Sequence, residues 1–167
     1  MRFTIRLISP EDAQGFLQAY HSAVHVTAAR DYPLEVLLLW SPPVDESRIV
    51  AKKERMEQTL GLTVMSYVAV AEGGEIIGLG ELVPPDTLGA VYVAASAGGK
   101  GVASALLRVL EARARELGMQ RLHMESSLTA ASFYARRGFQ ELGRDQHELA
   151  DGRAMACVRM EKALSGD

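Results

Sequence analysis

Apolar residues recur along the chain at two spacings, which predict strands in some stretches and helices in others. Apolar and polar residues alternate from Phe3 to Leu7, which predicts a first strand. Ser9 and Pro10 then form a helix-start signal. The residues that follow at intervals of three and four, as on one face of a helix, are Ala13, Phe16, Leu17, Tyr20 and Val24.

The middle of the chain changes from helical to strand periodicity. Leu34 to Trp40 predicts a short helix, and Asp45 or Ser47 begins another that runs to Leu60. Strand patterns follow, and the turn dipeptide Gly73-Gly74 separates the first two. The three predicted strands are Thr63 to Ala71, Glu75 to Val83 and Leu88 to Ala94.

The remaining part predicts a long helix from Gly101 to Leu117 and then the other half of a sheet. One helix face is apolar and the opposite face carries Arg108 and Glu111. The later elements are a strand, a short helix and two strands, at Arg121 to Glu125, Ala130 to Arg137, Phe139 to Leu149 and Arg153 to Met160. The order predicts one domain over residues 1–167, of the α/β (α+β) class, with a mixed sheet of about seven strands.

Composition excludes several classes of protein. The formal net charge of -3 argues against a nucleic-acid-binding protein with a broad basic face. The chain has no run of about 18 apolar residues, so no membrane span is predicted. The segment from Met1 to Arg6 lacks the apolar core of a signal peptide. The single cysteine, Cys157, cannot form an internal disulfide, so we expect a cytoplasmic protein.

The stretch from Ala97 to Ala103, A-G-G-K-G-V-A, is the first candidate for chemistry. It is not a Walker A loop, because Ala94 and Gly101 replace a required glycine and a required hydroxyl. It has two of the three glycines of a dinucleotide fingerprint and lies past the middle of the chain. The start of a helix, with glycines and the charge of Lys100, favours a pyrophosphate ligand. The alternative is a strand-to-helix turn without a ligand.

Two motifs about 30 residues apart resemble the signature of the GNAT superfamily of N-acetyltransferases. Val91 to Val93 is a strand before the loop Gly98 to Ala103, where the family has [QR]-x-x-G-x-[GA]. Ala130 to Phe139 matches A-x-x-F-Y-x-x-x-G-F at every defining position. The resemblance covers nearly the whole chain and implies a GNAT-type domain. In it two parallel strands, Leu88 to Ala94 and Arg121 to Glu125, splay apart in the middle of the sheet.

Two positions depart from the family pattern. Gly98 stands where the family usually has Gln or Arg, so its backbone N–H remains but a side-chain contact to the pyrophosphate is lost. Ser127 stands where Asn is often found, which affects how the pantetheine arm is held.

The resemblance implies transfer of an acetyl group from acetyl-CoA to a primary amine, by direct attack in a ternary complex and without a metal. Loop amides would grip the pyrophosphate, and the strand before them would hold the pantetheine arm and support a developing oxyanion. The implied cofactor-binding residues are Val91, Val93, Gly98, Gly99, Lys100, Gly101, Val102, Ala103, Ser127 and Tyr134.

Tyr134 is the implied general acid. A phenol with its ordinary pKa of about 10 is protonated at neutral pH and can donate to the leaving sulfur. The alternative is that Tyr134 only packs its helix. For the general base, Glu81 on the second central strand is the first candidate, with Asp86, His123 and Glu125 in reserve. A solvated charge is the alternative for each of them.

The family places its first helices over the acceptor, which makes aromatic and basic residues there candidates for recognising it. They are His21, His25, Arg30 and Tyr32, with Tyr20 and Trp40 favoured as ordinary packing residues. The two histidines lack the third ligand that a metal needs. We expect a small-molecule amine as acceptor and a homodimer, since dimers are frequent in the family. An acyl-CoA-binding or regulatory module without turnover is the rival hypothesis.

Overall fold

Seven strands form one mixed sheet in the computed structural model, which describes residues 1–59 and 61–164. The strands are β1 Phe3–Leu7, β2 Met65–Ala71, β3 Ile76–Val83, β4 Thr87–Val93, β5 Arg121–Ser127, β6 Gln140–Glu148 and β7 Ala154–Ala163. Their order across the sheet is β1-β2-β3-β4-β5-β7-β6. Neighbours run antiparallel except β4 and β5, which are parallel. The predicted mixed sheet is confirmed.

Within the described residues five α-helices accompany the sheet, at α1 Ala13–Ser22, α2 Leu34–Trp40, α3 Glu46–Thr59, α4 Val102–Glu116 and α5 Ala131–Ala135. Asp45 accepts a hydrogen bond from the backbone N–H of Arg48 at 2.9 Å and so caps α3, as predicted. The expected end of α3, Leu60, lies outside the described residues. A π-helical turn at Ala23–Thr27 continues α1 and was not predicted. None of the described helices combines the length and apolar character needed to cross a membrane.

Helices cover both faces of the sheet. The α1 face buries one apolar cluster, which includes Phe16, Leu17, Val68 and Leu79. The α4 face buries another, which includes Ala69, Ile77, Val102 and Leu106. Alternating residues of β2 and β3 therefore enter opposite clusters, so the sheet forms the middle of three layers.

Two positions of α4 differ from the amphipathic pattern. Glu111 was expected on the polar face, yet it is buried and its carboxylate accepts a hydrogen bond from Lys162 Nζ at 2.7 Å. Leu117, the predicted last residue of this helix, lies beyond its last turn and is 41% exposed. A charge from distant β7 makes the burial of Glu111 favourable, and helical spacing alone does not reveal that partner.

The parallel strands β4 and β5 separate almost as soon as they meet. Their ladder contains one pair, Thr87 with His123, and the N–H of His123 donates to Asp86 O at 2.8 Å. Beyond this pair the two strands diverge toward their carboxyl ends. The splay expected between these strands is confirmed, and it opens the middle of the sheet.

The start of α4 is positioned by close contact with β3 at Gly78. A Cβ atom built there would lie 2.9 Å from Val102 Cγ1 and 3.0 Å from Leu106 Cδ1. It would also lie 3.2 Å from the carbonyl oxygen of Tyr92 on β4. The absence of a side chain at Gly78 therefore lets α4 pack directly on the sheet.

We predict that Gly78→Ala destabilises the fold by about 1–3 kcal/mol, because the added methyl overpacks this contact. Urea unfolding measures the change. Gly73→Ala is the matched control, since its Cβ would meet nothing within 4 Å. Equal unfolding free energies for the two variants would contradict the prediction.

Candidate active site

Six consecutive backbone N–H groups, those of residues 99–104, have no acceptor in hydrogen-bonding geometry within the described chain. The first N–H of α4 to reach a carbonyl is that of Ala105, which donates to Gly101 O at 3.0 Å. Gly99 and Gly101 have φ angles of 70° and 82°, a left-handed conformation that favours glycine. Unpaired amides at a helix start carry partial positive charge, so this loop is suited to hold an anion.

Two other loop residues have different surroundings from those expected. The N–H of Gly98 donates to Ala95 O at 3.1 Å, so it is already used within the loop. Lys100 Nζ donates to Ser96 O at 2.7 Å and does not line the adjacent cavity. Gly99 and residues 101–104, whose amides are unpaired, all line the cavity.

A cavity of about 540 Å³ begins at these amides and extends between β4 and α5. We call it the helix-end cavity. Arg136 and Arg137 line it, and Arg137 donates to Phe133 O at 3.1 Å and to the hydroxyl of Ser104. Its guanidinium lies 3.7 Å from the centre of the Phe133 ring. Neither arginine was predicted, because both occupy variable positions of the second motif.

The open edge of β4 forms one wall of the helix-end cavity. The N–H of Ala94 donates to Ile77 O on β3 at 2.9 Å, so backbone groups alternate in direction from that point. The alternation turns the N–H and C=O groups of Val91 and Val93 toward the gap that β5 leaves. Both residues line the cavity, which thus has main-chain donors and acceptors along its side.

Tyr134 lies in α5 against this cavity and is 3% exposed. Its ring packs edge-on against Phe133 and Phe139, with centroids 5.1 and 5.5 Å away. Burial raises the pKa of the phenol well above its usual range, so the hydroxyl is protonated at neutral pH. It has no hydrogen-bond partner among the residues that the structure describes.

A second cavity, of about 680 Å³, lies on the other side of the splay. We call it the sheet cavity because β5, β6 and β7 form most of its wall. Its apolar lining includes Leu39, Leu88, Leu142, Leu149, Met155 and Cys157. Trp40, Tyr92 and Ser127 line both cavities, so the two spaces meet at these three residues, which we call the junction.

Aromatic rings surround the junction. Tyr20 and Tyr92 pack edge to face with centroids 4.6 Å apart, and Trp40 lies 6.2 Å from Tyr92. Burial raises the pKa of Tyr92 to about 12 and raises that of Tyr20 further. Both phenols are therefore neutral at physiological pH. Tyr20 and Trp40 line the sheet cavity, although the sequence favoured packing roles for them.

Charged side chains lie at the sheet cavity, and they include two of the reserve candidates for the base. Glu125 Oε2 is 2.8 Å from His147 Nδ1, and both residues line the cavity. His123 also lines it. Glu81, the first candidate, lines neither cavity, and its carboxylate accepts a hydrogen bond from Ser66 Oγ at 3.3 Å. His147 was not predicted, because no local motif surrounds it.

The four expected acceptor residues line neither cavity. His21 Nδ1 lies 3.2 Å from Ser41 Oγ, and His25 Nε2 donates to Ser41 O at 2.7 Å. The two imidazole rings stack with centroids 4.0 Å apart. Burial lowers the pKa of His21. His21 and His25 thus tether the chain after α2 through their contacts with Ser41.

Tyr32 and Arg30 hold the segment that leads into α5. The Tyr32 hydroxyl accepts from the N–H of Leu128 at 2.8 Å and donates to Ala156 O at 2.6 Å. Arg30 donates to Thr129 O at 3.2 Å. The phenol therefore bridges β5 and β7 beyond their last ladder pair. It fixes the chain next to the junction.

Comparison with known proteins gives a consistent set of matches. Residues 45–164 match the sequence model of a family described as an acetyltransferase (GNAT) domain. A GCN5-related N-acetyltransferase from Rhodopseudomonas palustris is 25% identical with a TM-score of 0.83, over 98% of this chain and 96% of that one. A ribosomal-protein-alanine N-acetyltransferase from Brucella melitensis is 27% identical, with a TM-score of 0.67 over 96% and 99%. The yncA protein of Salmonella typhimurium, solved with its cofactor acetyl-CoA, is 25% identical, with a TM-score of 0.66 over 100% and 96%.

We predict that Tyr32→Phe lowers the free energy of unfolding by about 1–3 kcal/mol, because it leaves the Leu128 N–H and the Ala156 C=O without a partner. Urea denaturation tests this. Tyr67→Phe is the control, because no hydrogen bond of the Tyr67 hydroxyl is found in the described part of the chain. A Tyr32→Phe protein as stable as the control would show that the bridge contributes nothing.

Proposed function

This chain belongs to the GNAT family of acetyltransferases, and we propose that it transfers an acetyl group from acetyl-CoA to a small primary amine within a ternary complex. The observation that carries the proposal is the junction of the two cavities at Trp40, Tyr92 and Ser127. Two ligands, one in each cavity, would meet there and react directly. The similarity to yncA, solved with acetyl-CoA, supports the choice of donor.

The helix-end cavity fits coenzyme A by its chemistry. The unpaired amides of residues 99–104 offer a row of donors for a pyrophosphate. The N–H of Gly98 is not among them, because it already donates to Ala95 O. Arg136 and Arg137 add positive charge for the phosphate groups at the same cavity. The Lys100 ammonium adds none of this charge, because it is bound to Ser96 O. When bound, acetyl-CoA supplies the acetyl group in activated form as a thioester.

The edge of β4 would hold the arm of coenzyme A and aim it at the junction. Val91 and Val93 offer main-chain N–H and C=O groups to the amides of the arm, as a neighbouring strand would. A main-chain N–H on this edge is also placed to stabilise negative charge that develops on the carbonyl oxygen. Ser127, at the carboxyl end of β5, lines both cavities and is therefore within reach of both ligands.

Tyr134 would give a proton to the sulfur of the leaving group. Its burial keeps the hydroxyl protonated, and the hydroxyl has no competing partner among the described residues. The rings of Phe133 and Phe139 fix its position. A neutral donor held in this way stabilises a thiolate as it forms.

The sheet cavity would hold the acceptor. Its volume of about 680 Å³ suits a small molecule. The rings of Tyr20, Trp40 and Tyr92 at the junction form an apolar, electron-rich surround for an amine. This assignment moves the acceptor site from His21 and His25 to the concave face of β5, β6 and β7. The homodimer and the cytoplasmic location expected from the sequence stay predictions.

We predict that Gly101→Ala weakens coenzyme A binding about tenfold or more, because a side chain at φ 82° strains the loop that presents the amides. Isothermal titration calorimetry with coenzyme A measures the effect. Gly152→Ala is the matched control, since Gly152 has φ 83° and an equally open environment in the β6–β7 turn. Unchanged affinity in Gly101→Ala, or no binding by the unmodified protein, would contradict the assignment of the cavity.

We predict that Tyr134→Phe lowers kcat about 10²- to 10³-fold while leaving the Kd for coenzyme A unchanged, since only the proton donor is lost. Thiol release from acetyl-CoA with a panel of primary amines provides the assay. Tyr67→Phe is the control and should retain full activity, because Tyr67 lines neither cavity. Binding without thiol release for every amine would instead favour a coenzyme-binding module without turnover.

A further inference from the structure

A carboxylate and an imidazole from two separate strands meet at the wall of the sheet cavity. Glu125 of β5 and His147 of β6 lie on either side of β7, and Glu125 Oε2 is 2.8 Å from His147 Nδ1. In this arrangement Nδ1–H donates to the carboxylate. The contact fixes the tautomer and leaves Nε2 as a lone-pair acceptor. Nε2 has no partner among the residues described.

The pair lies beside the junction of the two cavities. Glu125 and Ser127 are two residues apart on β5, so their side chains share one face of the strand. Ser127 lines both cavities, and Glu125 lines the sheet cavity next to it. His123, two residues the other way, lies at the closed end of the splay, where it pairs with Thr87. Glu125 and His147 thus lie nearer than His123 to the place where the ligands meet.

We infer that Glu125 and His147 act together as the proton acceptor for the acceptor amine, an inference that rests on the proposed function. An alkyl amine enters as an ammonium at neutral pH and cannot attack until it loses a proton. His147 Nε2 takes that proton, and the Glu125 carboxylate stabilises the imidazolium that results. Glu125 is thereby a positioning residue for His147.

The remaining steps form the amide and release the thiol. The freed nitrogen lone pair forms the N–C bond to the acetyl carbon, and the C–S bond breaks. Tyr134 gives its proton to the sulfur, and the second proton lost by the nitrogen restores the Tyr134 hydroxyl. His147 then releases its proton to solvent. The sum is an ammonium plus a thioester giving an amide, a thiol and one proton.

Other titratable groups at this cavity are less suited to the role. Arg159 is paired with Asp145, with Nε and Oδ2 at 3.1 Å. Burial raises the pKa of the Cys157 thiol, which keeps it protonated. His123 lies 4.0 Å from Asp86 and 3.7 Å from Glu161, so neither carboxylate is within hydrogen-bonding distance. The groups that face the cavity and the pair from neighbouring elements are Tyr20, Tyr92, His123, Asp145, Glu148, Cys157 and Arg159.

The test compares Glu125→Gln, His147→Gln and the double variant with Glu141→Gln, which alters a β6 carboxylate that lines neither cavity, as the matched control. The pH dependence of kcat/KM for an amine acceptor is measured by thiol release, and the Kd for coenzyme A by calorimetry. Each single variant should lose about 10- to 10³-fold in kcat/KM at neutral pH. The double variant should lose no more than His147→Gln alone, because the two residues act as a unit.

The pH profile separates this role from a purely structural one. In His147→Gln the rate should climb steadily toward the pKa of the amine itself, about 10 for an alkyl amine, because the substrate then loses its proton to water. The Kd for coenzyme A should be unchanged in all variants. Glu141→Gln should keep the wild-type profile.

Three results would overturn the inference. They are a wild-type pH profile in His147→Gln, losses that multiply in the double variant, and an equal loss in Glu141→Gln. If the wild-type protein releases thiol normally while the variants match it, only this inference fails. If the wild-type protein binds no coenzyme A or releases no thiol with any amine, the proposed function fails and this inference fails with it.

Discussion

The divergence of two parallel strands is the constraint on which the rest of this structure depends. β4 and β5 share one pair and then separate, although unpaired backbone groups inside a protein are costly. On the other side of β5, beyond its last pair with β7, the Tyr32 hydroxyl bridges the Leu128 N–H and the Ala156 C=O. The edge of β4 at Val91 and Val93 instead faces a cavity, where a ligand with amide groups can complete it.

The two cavities are built from different parts of the polypeptide. Main-chain groups dominate the helix-end cavity, where the amides of residues 99–104 and the edge of β4 supply most polar contacts. Side chains dominate the sheet cavity, where Glu125, His147 and Arg159 supply the charge. A main-chain site constrains sequence only through its glycines and small residues. A side-chain site can change its chemistry by single substitutions without disturbing the fold.

This difference explains what could be predicted from the sequence. The loop before α4 and Tyr134 are local patterns, and the sequence placed both at the cavity where the structure has them. His21 and His25, which were predicted to contact the acceptor, line neither cavity, because helical spacing directs them toward Ser41, a partner 16 or more positions away. The contact of Glu125 with His147 spans 22 positions and depends on β7 lying between β5 and β6. No periodicity in the sequence encodes that strand order.

The bridge made by Tyr32 joins parts of the chain that are far apart in sequence. Its hydroxyl lies between residues 96 and 124 positions further along, at the end of β5 and within β7. The first forty residues therefore line part of the sheet cavity and also, through Tyr32, hydrogen-bond the segments that position α5. Exchanging this segment between homologous proteins to alter acceptor choice would disturb the placement of Tyr134 as well. Under the proposed function, acceptor preference and acetyl transfer are therefore coupled through this bridge, and a chimera must keep a phenol at this position to separate them.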